Sequence, residues 1–143
     1  MICLDTNILV YAFMSEMTWH LPAKKFLEET ASSDSAWSVP YHCIAEFLSI
    51  VTNKRVFKKP APLHDALFFL DGVLASPSLS LLTELHDFYN LYKNTALKSK
   101  VTGARLHDAR IAALCIQNGV KILYSADRDF SFFSGLKVKN PLT

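Results

Sequence analysis

The stretch "LHDARIAALCIQNGVKILYSAD", residues 106–127, runs an apolar helix pattern through a glycine into a short apolar run. Ala109, Ala112, Ala113 and Ile116 recur at i, i+3, i+4 and i+7, the spacing of one helical face. Gly119 suits the left-handed residue that closes a helix, and Val120 to Tyr124 then reads as a strand. A helix joined to its following strand by so tight a turn must begin at the sheet edge where that strand finishes. Asp108 at the helix start and Asp127, three residues beyond Tyr124, are therefore expected on one rim. An acid in a first helical turn is also what the free N–H groups and the macrodipole favour, so Asp108 alone decides nothing.

Working outward, Ile2 to Leu4, Trp37 to Val39 and Leu79 to Leu82 are further short apolar runs separated by helical patterns. Leu21 to Thr30 carries Pro22 in its first turn, where proline is tolerated. Pro40 introduces a helix with Ile44, Phe47, Leu48 and Val51 on one face. Leu63, Leu67, Leu70 and Leu74 form another stripe, and Leu85, Phe88, Tyr89 and Tyr92 a third. Strands alternating with helices predict an α/β fold with a central parallel sheet of four to five strands flanked by helices. With 143 residues, half of them apolar, the chain suits one domain over residues 1–143. Residues 54–62 are the most loop-like segment.

Two more acids fall near that rim. Asp5 follows the first strand directly, and Glu46 lies about 200° around its helix from Ile44, off the centre of the apolar stripe. Parallel sheets gather ligands at the carboxyl ends of their strands. Four carboxylates crowded there repel one another unless a cation or proton compensates, and hard cations such as magnesium take oxygen ligands and water. Each residue has a plainer reading too. Asp5-Thr6-Asn7 also suits a helix N-cap, Glu46 an exposed helical glutamate, and Asp129 competes with Asp127 for the fourth place. The five histidines show no metal-type pairing, and of these only His107 is placed to touch a substrate.

Taken together, "LDTNILVYAF" (4–13), "IAEFLSIVTN" (44–53), "GARLHDARIAAL" (103–114) and "LYSADRDFSFFSGLKVKNPL" (123–142) resemble the PIN-domain family, in particular the VapC-type ribonuclease toxins of toxin–antitoxin pairs. The resemblance spans nearly the whole chain in order. It implies a magnesium-dependent endoribonuclease, with manganese as a possible substitute, in which Asp5, Glu46, Asp108 and Asp127 are catalytic metal ligands. Thr6, Asn7, Ser125 and Asp129 would be the polar groups standing behind them. It further implies a homodimer and a cognate antitoxin. Rival readings are a noncatalytic RNA-binding PIN-like domain and an aspartyl-phosphate phosphohydrolase using Asp5 as nucleophile, although such enzymes want a second acid where Asn7 stands.

Bulk properties restrict these choices only loosely. Lys and Arg total 15 against 13 Asp and Glu, a net charge of +2 that is too mild to indicate nucleic acid. The local group Lys54, Arg55, Lys58 and Lys59 reads either as a solvated loop or as an RNA phosphate contact. Three scattered cysteines suggest neither a disulfide framework nor a zinc site, which fits a reducing compartment. The start "MICLD" lacks the basic leader of a signal peptide, and no apolar stretch reaches the roughly 18 residues that span a bilayer. A cytoplasmic location with no membrane association is expected.

Overall fold

The computed structural model of the protein describes residues 1–127 and 133–143. The first apolar run forms β1 (Ile2–Leu4), and its Asp5 caps α1 (Thr6–Phe13) by accepting the Thr6 N–H at 2.7 Å. Next come α2 (His20–Ser32), β2 (Trp37–Pro40) and α3 (Tyr41–Val51). They are followed by α4 (Leu63–Leu74), β3 (Leu79–Leu82), α5 (Phe88–Ser99), α6 (Arg105–Gln117), β4 (Ile122–Tyr124) and β5 (Lys137–Lys139). No helix among the described residues is long and apolar enough to cross a membrane.

All five strands are parallel, in the order β3-β2-β1-β4-β5. The chain leaves β1 toward β2 and β3 on one side and returns to β4 and β5 on the other. The switch in direction therefore falls between β1 and β4, and a crevice opens there at the strands' carboxyl ends. Register brings the ends level, with Leu4 beside Tyr124 and the Asp5 N–H donating to the Tyr124 carbonyl at 3.0 Å. Asp5 and Ser125 thus start their loops side by side.

The α6–β4 junction is built as its sequence requires. Gly119 takes φ +72°, and the Val120 N–H reaches back to the Cys115 carbonyl at 2.9 Å, closing the helix end. The apolar face is broader than the alanine spacing indicates: Ile111, Leu114 and Cys115 are buried along with Ala109, Ala112 and Ala113, whereas Ile116 is only partly covered. Such small residues let α6 lie close to its neighbours. Two expectations need correction. The α5 stripe begins at Phe88, not Leu85, and does not include Tyr89: Asp87 sits at φ +63° ahead of the helix, Leu85 is half exposed and Tyr89 is 69% exposed. The five strands fall within the expected four to five, but no apolar run marks β5, because "KVK" exposes two of its three side chains; lysines on an edge strand discourage further pairing.

Helix α3 is anchored from behind. Phe47, fully buried, meets Phe13 of α1 at 5.6 Å and Phe69 of α4 at 5.4 Å between ring centroids, and Phe13 and Phe69 close the triangle at 5.0 Å. This cluster fixes the rotation of α3, and therefore where Glu46 points. Phe47→Ala is expected to lower stability by about 3–5 kcal/mol, read from the urea midpoint, because it empties the centre of the cluster. A loss below about 1 kcal/mol would show that the triangle does not hold the helix.

Candidate active site

At the crevice, Asp5 is 5% exposed, and both of its oxygens are engaged. Oδ1 accepts the Thr6 N–H; Oδ2 accepts the Ser125 hydroxyl at 2.8 Å and, more weakly, the Asn7 amide at 3.4 Å. Ser125 Oγ in turn accepts the Asn7 amide at 3.2 Å and the Asp127 N–H at 3.0 Å, and Asn7 Oδ1 accepts the Ala126 N–H at 3.2 Å. Asn7 and Ser125 therefore tie the first turn of α1 to the segment that leaves β4. The sequence suggests these residues only as neighbours of acids; their reciprocal bonding appears once the two strands pair.

A cavity of about 300 Å3 opens on this network, and Asp5, Glu46, Asp108 and Asp127 all line it. Glu46 reaches it from the exposed side of α3 and Asp108 from the first turn of α6. The fold thus brings together four acids from four separate segments. Asp129, the competing fourth acid, lies outside the described residues. His107 also lines the cavity, whereas Lys54, Arg55, Lys58 and Lys59 are exposed on the adjoining loop. A larger cavity, about 540 Å3, lies elsewhere, lined by Phe13, Leu27, Ala31, Phe68, Phe69 and Val73; it holds none of the four acids and has little polar surface.

Electrostatics distinguish Asp5 from an ordinary cap. Burial pushes its carboxyl up from 3.8 to about 6; the bonds from Ser125 and Thr6 offset part of this, and the charges of Glu46 and Asp108 add to it. The Cys43 thiol behind it is also raised by burial. On the outer side of α6, Arg110 pairs with Glu84 at 2.6 Å, and burial, followed by the Arg110 charge, holds His42 below its ordinary range.

The donor set is all oxygen and negatively charged, the chemistry of a hard divalent cation. Among the described residues, no three Asp, Glu, His or Cys side chains close in tightly enough to hold a metal ion. The fit rests on the shared cavity and the buried, charge-stressed Asp5.

The buried carboxylate has a measurable signature without metal. Folding favours its protonated form, so charged Asp5 destabilises the fold above pH 6, and the cost grows as pH rises from 3.8 to about 6. Asp5→Asn is therefore expected to gain stability relative to the unmutated protein by about 3 kcal/mol across that interval in chelator, then level off. A stability difference independent of pH would contradict the burial argument.

A family model described as "PIN domain" matches residues 2–135. Ribonuclease VapC43 of Mycobacterium tuberculosis is 33% identical over 142 residues, covering 99% of this chain and 96% of that protein. Among solved structures, VapBC2 from Rickettsia felis bound to a promoter DNA fragment superposes with a TM-score of 0.70 at 20% identity, covering 98% of each chain. Mycobacterium tuberculosis VapC20, a toxin that cleaves the sarcin–ricin loop, gives 0.68 at 18% identity, covering 92% of this chain and 93% of its own. The structural likenesses speak for the fold.

Proposed function

The chain belongs to the PIN-domain family, and from that premise we propose that it is an endoribonuclease, the toxin of a toxin–antitoxin pair, that hydrolyses RNA phosphodiesters at a magnesium site. The observation that carries this reading is the single cavity shared by Asp5, Glu46, Asp108 and Asp127. These four residues would hold the ion, with manganese as a possible substitute. When bound, such an ion makes an attacking water more acidic and offsets charge on the phosphate and the leaving oxygen.

The chain's own groups do the positioning. Ser125, Asn7 and the Thr6 N–H hold the Asp5 carboxylate in one orientation, and Ser125 also holds the backbone of Asp127. Lys54, Arg55, Lys58 and Lys59 attract the RNA backbone without reading its sequence. With both Asp5 oxygens already accepting hydrogen bonds and Asn7 in place of a second acid, a phosphoryl-enzyme route through Asp5 is disfavoured. A noncatalytic RNA-binding role is disfavoured as well, because a site without a cation has no use for a carboxylate that burial, and after it the charges of Glu46 and Asp108, make costly to ionise.

A cognate antitoxin and a second copy of the chain are the protein partners of this reading. The apolar cavity between α2 and α4, with Phe68 77% exposed at its edge, supplies a surface of the kind that marks a protein interface.

Purified protein is expected to cut single-stranded RNA into discrete fragments with magnesium or manganese and to stop in chelator. Asp5→Asn and Asp108→Asn should each reduce cleavage at least about 100-fold, and the double variant should be little worse, because parts of one catalytic unit are not additive. Full activity in either single variant would sink the proposed ligand set.

A further inference from the structure

Acids form only part of the cavity. Tyr11, Met17, Ile50, Val56, Phe57 and Ile111 give it a mostly apolar lining from α1, the α1–α2 connection, α3, α6 and the loop after α3. Hydrolysis of a phosphate, highly charged and hydrated, makes no use of such surface. Two of these residues belong to the basic loop itself, and the loop's construction separates its two kinds of side chain.

Asn53 organises that segment. Its Oδ1 accepts the Arg55 N–H at 2.9 Å, and its carbonyl accepts the N–H groups of Val56 and Phe57, both at 3.1 Å. In the turn so formed, Lys54, Arg55, Lys58 and Lys59 are exposed, Phe57 is 9% exposed, and Val56 is 54% exposed while lining the cavity. Phe57 belongs to the buried core and anchors the turn, while Val56 carries apolar surface out to the acidic cavity, which a purely solvated basic turn has no reason to do. The arrangement instead gives an outer cationic track beside an inner apolar wall, the combination by which proteins hold single-stranded nucleic acid: charge follows the backbone, and an aromatic face receives a base.

We propose that this wall is a nucleobase subsite. One unpaired base of the substrate, adjacent to the phosphate held at the acids, lies against Tyr11 and Val56, which line the cavity together with the buried Phe57, while the RNA backbone follows Lys54 to Lys59. The subsite rests on the endoribonuclease reading and narrows it. At about 300 Å3 the cavity stands at the small end of ligand sites, so it takes a base out of its stack and not a duplex. Single strands and loops are the substrates; paired RNA enters only after a base has been extruded. Because every base has a π face, the subsite demands that a base be present more than it demands which one.

The test uses an RNA oligonucleotide that the protein cuts at one place in magnesium, with each nucleotide around the cut replaced in turn by an abasic one. One position is expected to lower kcat/KM roughly tenfold or more, while its neighbours change it less than about threefold. Tyr11→Leu and Val56→Ser, which keep the fold's apolar bulk or alter a mostly exposed residue, should weaken cleavage of intact RNA yet leave the abasic RNA nearly unaffected. The intact-to-abasic ratio then falls toward one; melting temperatures verify that both variants remain folded. Equivalent effects at all positions, or an unchanged ratio in both variants, would overturn the subsite while leaving the nuclease standing, and would return the wall to packing or to a partner's side chain. Should no RNA be cut with either metal, the nuclease reading fails, and binding of a strand carrying 2-aminopurine decides the subsite alone. A fluorescence change that Tyr11→Leu removes supports it, and no change in the unmutated protein overturns it.

Discussion

A carboxylate buried at the end of β1 is the constraint on which the site depends. Asp5 is placed there because β1 pairs with β4 in register, and it is tolerated there because Ser125, Asn7 and the Thr6 N–H satisfy its oxygens. Those bonds do not remove the cost of burial, which still leaves its carboxyl near 6 with Glu46 and Asp108 adding to the strain. A fold selected for stability alone would place Asn or Ser at this cap at no such cost. The retained negative charge is intelligible if a cation completes the site.

The same carboxylate organises its surroundings. Asn7 and Ser125 join the start of α1 to the segment leaving β4, so the position of Asp127 depends on the pairing that positions Asp5. Glu46 and Asp108 arrive independently, each on a helix fixed by its own packing: α3 by the Phe13–Phe47–Phe69 cluster and α6 by its buried small residues, its packing on α5 and its Gly119 turn. Four local solutions, each stable for ordinary reasons, converge on one unfavourable charge arrangement.

Much of this was legible in the residues. The glycine turn from α6 into β4 orients that pair from sequence alone, and once the elements alternate, a parallel sheet places Asp5, Asp108 and Asp127 on one rim. Glu46 was legible from helical angle, because an acid off the apolar stripe of a helix leaving that rim has few other places to point. The edge strand β5 was not, since three residues with two lysines carry no apolar periodicity. Leu85 misled because it matches the α5 stripe while lying ahead of the left-handed Asp87. Nor does any pattern pair Asn7 with Ser125, or separate Phe57 from its cationic neighbours; both depend on contacts between distant segments or on the hydrogen bonds of a turn.

Anomalous diffraction from crystals of the protein grown with manganese reads out whether these four acids share a hard cation. A manganese peak is expected inside the cavity, with oxygen contacts from Asp5 and at least one of Glu46, Asp108 and Asp127, and its loss is expected in crystals of Asp5→Asn. A cavity without a peak at saturating manganese, or a peak that persists unchanged in Asp5→Asn, would contradict a shared cation.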